Sequence, residues 1–461
     1  MKCAAAEPLP AKASVVRLID PSRTTLAFVG ACCYLASQAF QIPLMAVGPS
    51  WAVWPNLSDL AFAVLLLSLL TGSRHLQMLS AANRKVFSGL LVLFGATVAA
   101  FLAVSVRDLF AVAPQTEKSA DFGLFHIYRF AQFVLVYRVI AGLPLTRSRA
   151  RTLSLIAEVT LALAFLGVLG TYTSLLPTPL LVSHLPSERS VAGPWVTLSM
   201  GQWYEAGTIG HNHGHVAVQL VMLAGLAVGL RLRRCAFLDI ACLALATAGV
   251  FLSASRAGMA AALFLLVAYF FRRPAALTMA VLVFGLAFSA FSGFLGDLGI
   301  GVAETAERQL TLRRPLDPEN LSGRAGIWQD SLDFLLADPI RWVVGAGPGG
   351  AIQLGNNAHM LALQIVLEGG IIGLTLFFWV MYTTMTCLYR FERGARAIFW
   401  TTGALLVSSF TQETLYPVPS MGHFLGLYLF SVALVLGLNS NEPAREYNSR
   451  LCREVRECAY R

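Results

Sequence analysis

Charge is what this sequence has least of. Only 13 % of its 461 residues are Asp, Glu, Lys or Arg, against about 25 % in a soluble domain. Apolar residues make up 56 % and the mean hydropathy is +0.66. That balance excludes a water-facing globular surface, a disordered chain and a nucleic-acid binder. Cysteine is missing where a secreted scaffold would need it. Cys3, Cys452 and Cys458 fall in the terminal tails, and Cys32, Cys33, Cys235, Cys242 and Cys387 lie within or beside apolar stretches. No disulfide framework follows, and two tail thiols without further ligands do not make a zinc site. The alternating segments of about 10 residues that mark an outer-membrane barrel are also absent. What remains is an all-α polytopic membrane protein.

Long apolar runs bear this out. A helix needs roughly 20 mostly apolar residues to cross a bilayer, and about twelve stretches qualify. They lie near 25–47, 56–71, 86–104, 122–141, 152–176, 207–230, 235–252, 255–271, 275–296, 359–389, 395–411 and 420–438. The formal charge of +9 then speaks to orientation, because Lys and Arg concentrate on the cytoplasmic side. With residues 1–24 inside, about 23 of the 34 Lys and Arg fall in inside segments, including the Arg231–Arg234 and Arg272-Arg273-Pro274 turns. Arg129 and Arg138 lie within a span, and about nine basic residues are left outside. The expectation is twelve spans with both termini cytoplasmic. The first 24 residues precede an apolar run too long for a cleavable signal.

The expected organisation is a tail (1–24), nine spans (25–296), an outside loop (297–358), three spans (359–438) and a second tail (439–461). A shorter outside segment runs from about 177 to 206. Loops this long are usually functional or disordered. The larger one contains a helical pattern at 324–337, with Ile327, Trp328, Leu332, Leu335 and Leu336 on or near one face. Asp338-Pro339 ends it. Such a short acidic helix suits docking on the bundle better than lying on an anionic lipid surface.

Several polar constellations face this outside compartment. Ser253-Ala254-Ser255-Arg256-Ala257-Gly258 forms a hairpin with almost no loop. Arg256 is either a snorkelling anchor or an anion site at a helix N-terminus; the local pattern leaves both open. In Ser322-Gly323-Arg324 the serine is a plausible N-cap. Arg324 then sits where the helix dipole disfavours a cation, which makes sense if an anion binds there; the plain alternative is a solvated arginine. Gly345-Ala346-Gly347-Pro348-Gly349-Gly350 lacks the Lys-Ser/Thr of a P-loop and reads as a tight turn returning the loop to the bundle. Asn356, Asn357 and His359 stand at the entrance of the tenth stretch, with the intramembrane Glu368 nine residues on. That spacing puts Glu368 about 13 Å along the axis and on the opposite face, so it does not orient His359 directly. A buried carboxylate needs a partner, and Arg129, one turn after His126, is a candidate. His211, His213 and His215 flank Asn212 at the outer end of the sixth stretch. With no carboxylate in the run, a polar helix entrance fits better than a metal site.

In order, the chain thus carries Ser255-Arg256-x-Gly258, a loop helix with Gly323-Arg324-x-x-x-Trp328 and the turn Gly345-x-Gly347, and His359 opening a span with Glu368-x-Gly370. This set, with twelve spans, resembles the O-antigen ligase and polysaccharide polymerase family over roughly residues 200–380. The Gly210–Ala217 run is similar to that family's Gly-x-x-Pro-Asn segment, with Asn212 in the Asn place and His211 where Pro is usual. A further departure is Met360 after His359, where the family often has Asn.

The resemblance implies a C-type glycosyltransferase-like helical bundle that moves a glycan from undecaprenyl diphosphate to an acceptor hydroxyl at the periplasmic face. It implies no metal, nucleotide or other cofactor. Arg256 and Arg324 would hold the diphosphate, and His359 would act as base. Asn212, His211, His213, Asn357, Trp328, Arg129 and Glu368 would line the substrate site. The acceptor would be lipid A-core or a similar molecule. A polymerase joining repeat units, a protein O-glycosylating enzyme and a twelve-span transporter or flippase are the alternatives. Against transport, the long loop comes late, whereas a major-facilitator carrier usually has it between spans six and seven.

Overall fold

In the computed structural model the described residues are 21–45, 54–72, 78–109, 117–176, 213–231, 236–271, 302–311, 324–354, 357–391, 394–417 and 423–440. Isolated helical positions also appear at 278, 282, 289, 293 and 296. The tails, most of the stretch 275–296, the segment 177–206 and the site candidates His211 and Asn212 lie outside them, as do Ser322, Gly323 and Asn356.

Among the described residues the regular structure is helical throughout, with no strand. The helices are α1 (Pro21–Ala36), α2 (Leu57–Gly72), α3 (Ala81–Leu109), α4 (Glu117–Ala141), α5 (Arg147–Tyr172), α6 (His213–Leu230), α7 (Ala236–Leu252) and α8 (Arg256–Phe270). They continue with α9 (Ala303–Leu310), α10 (Arg324–Leu336), α11 (Pro339–Val344), α12 (Leu361–Tyr389), α13 (Gly394–Ser408) and α14 (Phe424–Ser440). A helix occupies each expected apolar stretch apart from 275–296, most of which lies outside the described residues and whose described positions are helical. Among the described residues, four helical segments are long and apolar enough to cross a membrane: Ala81–Val106, Ala120–Ala141, Arg147–Tyr172 and Leu361–Tyr389. Others, such as Gly214–Leu230 and Phe424–Leu438, are apolar but shorter.

Position in the bundle follows composition. α6 and α14 are apolar all round, and nearly every described residue in them is buried. α6 packs against α5, α7, α8 and α13, and α14 against α4. α5 instead exposes Leu155, Val159, Leu163 and Leu166, a stripe at helical spacing. α3 exposes Leu91, Val92, Leu102 and Val106. These peripheral faces match a lipid environment, where exposed apolar side chains carry no penalty.

Local signals set the helix starts. Thr146 accepts from Arg149 N at the head of α5, and Asn56 Oδ1 accepts from Ser58 N at the head of α2. At one end of the bundle Arg231 is not a free topological charge. It pairs with Glu158 of α5 and Asp239 of α7, and Tyr269 of α8 donates to the same Asp239 at 2.5 Å. Four helices are thereby clasped together.

The opposite end, called the loop end below, carries α9 to α11. The helix expected at 324–337 is α10, and it docks on α12 as anticipated. Its buried face is narrower than the expected set. Leu335 is fully buried and Trp328 and Phe334 pack beside it, but Leu332 and Leu336 are 42 % and 66 % exposed. The reason is rotational. The contact is centred on 328, 331 and 335, and Leu332 and Leu336 turn past its edge. Asp338 does more than end α10. Its carboxylate accepts from Ile340 N and caps α11. Arg341 closes the joint, donating to Phe334 O at 3.0 Å and lying over the Phe334 ring.

Candidate active site

The glycine-rich turn returns to the bundle as the sequence suggests, and it meets α12 at a break. Gly370 has φ 62° and ψ −167° inside α12. A broken helix in a membrane protein must have its freed backbone groups satisfied by neighbouring chain. Here Ala346 N donates to Leu367 O at 2.7 Å. The contact requires two glycines. A Cβ on Gly345 would lie 2.3 Å from the Glu368 carbonyl carbon, and one on Gly370 would lie 2.2 Å from Val343 O. Both also have positive φ, which side chains resist. Gly345-x-Gly347 and Glu368-x-Gly370 are thus two halves of one backbone contact.

This contact places the start of α12 and the turn before it. His359 sits in that turn with φ 50°, a strained conformation for a residue with a side chain. The surroundings hold it there. Its backbone N–H donates to Glu413 Oε1, and its Nδ1 lies 3.6 Å from the same oxygen. Ala358 N donates to Gln364 Oε1 at 2.9 Å, and Ala358 O accepts from the Trp328 indole at 2.8 Å. Leu361 N donates to Ser409 O. Trp328 therefore grips the turn beside His359, and Asn357 lies within that turn.

Glu413 is fully buried, whereas the His359 side chain is 29 % exposed. Burial pushes the Glu413 carboxyl up, but the hydrogen bonding and charge of His359, with the charge of His215, hold it below the ordinary glutamate range. His215, on the first turn of α6, completes the cluster and is itself buried. Three polar atoms of this cluster have no hydrogen-bond partner among the described residues: His359 Nδ1, Glu413 Oε2 and His215 Nε2. Glu413 was not among the sequence candidates, and His215 was singled out with His211 and His213 but not carried into the expected substrate site. The signal for Glu413 was a lone carboxylate in Thr411-Gln412-Glu413-Thr414, between two apolar stretches at the same end as His359.

Arg256 opens α8, as the hairpin predicts. Ser255 Oγ accepts from Gly258 N at 3.0 Å, and Ala254 takes φ 54° to turn the chain. Gly258 allows α8 to lie against α6, because a Cβ there would be 2.2 Å from Ala217 Cβ. That packing brings the heads of α8 and α6, and so Arg256 and His215, to the same level of the bundle. Arg256 Nη1 donates to Thr311 Oγ1 at 3.2 Å, just past α9. Arg324 is the first residue of α10, one turn before Trp328. The side chain of His213 lies outside the described ones.

The Arg129–Glu368 pair is not formed. Glu368 is satisfied by Gln364 Nε2 at 2.9 Å, Tyr416 OH at 2.7 Å and His126 Nδ1 at 3.3 Å. Arg129, one turn along α4, pairs instead with Asp59 of α2 and contacts Gln132 and His423. His423 Nε2 lies 3.1 Å from Asp59 Oδ1, and its Nδ1 is 3.0 Å from Tyr34 OH. The physical reason is one turn of α4. Rotation and rise put His126 at the height of Glu368 and Arg129 at that of Asp59. Glu368 still reaches the His359 turn, through Gln364, which bonds both Glu368 and Ala358.

Fold and site together define a multi-pass helical membrane protein with a polar cluster built at one end of its bundle. Residues 241–378 match the profile of the O-antigen ligase family, which supports assignment of the chain to the O-antigen ligase/polymerase family. The matched segment runs from α7 into α12 and includes Arg256, Arg324, His359 and Glu368 but not His215, Arg129 or Glu413. The assignment supports an enzyme of glycan transfer, with lipid-linked glycan substrates in a membrane setting. Comparison with curated proteins finds no match.

Proposed function

We propose that this protein is an inverting glycosyltransferase of the ligase type, moving a glycan from undecaprenyl diphosphate to an acceptor hydroxyl at the periplasmic face of the bacterial inner membrane. In this reading the chain has twelve spans, both termini are cytoplasmic, and 297–358 is the periplasmic loop. The observation that carries it is His359 strained against the buried Glu413 within the shared loop end of α6, α8 and α12.

The chemistry follows from the side chains. Glu413, 3.6 Å from His359 Nδ1, is placed to accept a hydrogen bond from that nitrogen as Nε2 takes the acceptor proton. The acceptor oxygen bonds to the anomeric carbon as the bond from that carbon to the diphosphate breaks. The electron pair leaves with the diphosphate, and the anomeric centre inverts. Arg256 and Arg324 hold the leaving diphosphate by bidentate, charge-assisted hydrogen bonds. His215, and in our reading His211, Asn212 and His213 beside it, line the acceptor side with Asn357. Trp328 and Glu368 position the His359 turn. Arg129 stabilises the neighbouring helices. These residues supply base and positive charge without a metal, so transfer continues in EDTA.

A repeat-unit polymerase is the second reading, favoured by the same family profile, which covers both activities. Glycan analysis of a deletion strain separates them. Long carrier-linked chains with bare core mark a ligase, and single repeats on core mark a polymerase.

A further inference from the structure

The short helix α9 carries a buried polar side chain that the bundle leaves unsatisfied. Val302, just before α9, and Thr305 and Gln309 within it recur at helical spacing and make the face that α9 turns onto the bundle. Val302 packs against the apolar core. Thr305 is buried and shares a hydrogen bond of 3.1 Å with the hydroxyl of Tyr172, at the end of α5. α9 also contacts α7 and α8. Gln309, one turn after Thr305, is only 9 % exposed, yet neither its Nε2 nor its Oε1 has a hydrogen-bond partner among the described residues.

Burying a carboxamide without partners costs stability, and an apolar residue of similar shape would avoid that cost. A polar group kept in such a place is explained when a ligand supplies the missing bonds. The two empty atoms narrow the ligand. Phosphate oxygens could accept from Nε2 but would leave Oε1 unpaired, a cation would do the reverse, and a hydrocarbon chain would satisfy neither. Sugar hydroxyls both donate and accept, so they satisfy both. Position narrows it further. Thr311, two residues after Gln309, accepts from Arg256 Nη1. Helix geometry puts the Cα atoms of Gln309 and Thr311 roughly 5 to 6 Å apart.

We propose that Gln309 recognises the sugar joined directly to the donor diphosphate, through hydrogen bonds to its ring hydroxyls or its acetamido group. The proposal rests on the transferase reading and deepens it. Arg256 takes the charged leaving group, and Gln309 takes the neutral ring next to it. Gln309 is then a specificity-determining residue, because a site built to bond a sugar's polar groups discriminates against a donor that lacks them or turns them away.

The test measures binding to the full-length protein in phosphatidylcholine nanodiscs. The probes are bare undecaprenyl diphosphate and the same carrier bearing N-acetylglucosamine, glucose or galactose. Wild type is expected to bind at least one sugar-bearing carrier tenfold or more tighter than the bare carrier. Gln309→Leu should remove that preference and leave the affinity for bare carrier unchanged, whereas Arg256→Ala should weaken both. Gln309→Met is the second variant if the first does not fold. Both substitutions relieve an unsatisfied amide, so the melting midpoint without ligand should stay level or rise. A wild type with no sugar preference, a preference that survives both variants, or equal loss of bare and sugar-bearing carrier in both variants overturns the proposal. A wild type that does not bind even bare undecaprenyl diphosphate counts first against the transferase reading, and the role of Gln309 falls with it.

Discussion

Glu413 Oε1 receives the backbone N–H of His359 and stands 3.6 Å from its ring Nδ1. A single buried oxygen thus fixes the backbone of the proposed base and faces its ring. That arrangement predicts that Glu413→Gln lowers kcat on the order of 10²-fold with little change in donor KM. His359→Ala should lose at least as much. The double variant should fall no further than the worse single one, since the two act as a unit. Initial rates with a lipid-linked donor check this. Additive losses would show that the residues act independently.

The same carboxylate carries a pH-dependent share of stability. Its folded value is lowered, so its contribution is present above the unfolded value of about 4.3 and is lost as pH falls through the folded value. Thermal melts of wild type and Glu413→Gln should therefore differ most from about pH 5 to pH 7. The two curves should converge as the pH is lowered below about 4.

Gly370 and Gly345 make the contact that seats the loop on α12. Gly370→Ala places a Cβ against Val343 O at positive φ, and the expected cost is roughly 1–3 kcal/mol. Scanning calorimetry or a fluorescence melt in detergent reads this directly. Gly373→Ala, three residues on at a position where a Cβ meets only ordinary contacts, is the control and should leave the midpoint nearly unchanged.

Asp59 and Arg129 form a buried ion pair completed by His423. Removing one partner leaves the other charge uncompensated. Asp59→Ala should therefore destabilise the protein by about 3–5 kcal/mol. Asp59→Ala with Arg129→Met should recover part of that loss. A double variant no more stable than Asp59→Ala would show that the ion pair is not the cause.

What the sequence revealed was mostly local. The hairpin that starts α8 at Arg256, the start of α10 at Arg324 and the glycine turn at 345–347 all depend on neighbours a few residues away, and spacing exposes those. What it hid was long-range. Glu413 is 54 residues from His359, and His423 is 364 from Asp59. Nothing in the periodicity of α13 or α14 states which distant side chain their connecting loop will face. The mispairing of Arg129 with Glu368 came from treating depth as sufficient. A single turn of α4 decides between Asp59 and Glu368, and apolar runs place a residue less finely than one turn. Leu332 and Leu336 failed for a related reason, because helical spacing defines a face but not how far the partner surface reaches across it.

The central claim is that His359 and the two loop-end arginines transfer a glycan from a diphosphate-linked lipid. The most direct measurement is glycan transfer by the purified full-length protein from an undecaprenyl-diphosphate-linked donor to an acceptor in EDTA. Wild type, His359→Ala, Arg256→Lys and Arg324→Ala would be compared. The account predicts transfer by wild type in EDTA, with loss in His359→Ala and Arg324→Ala and severe impairment in Arg256→Lys, which lacks the bidentate fork. Near wild-type transfer by His359→Ala would contradict it.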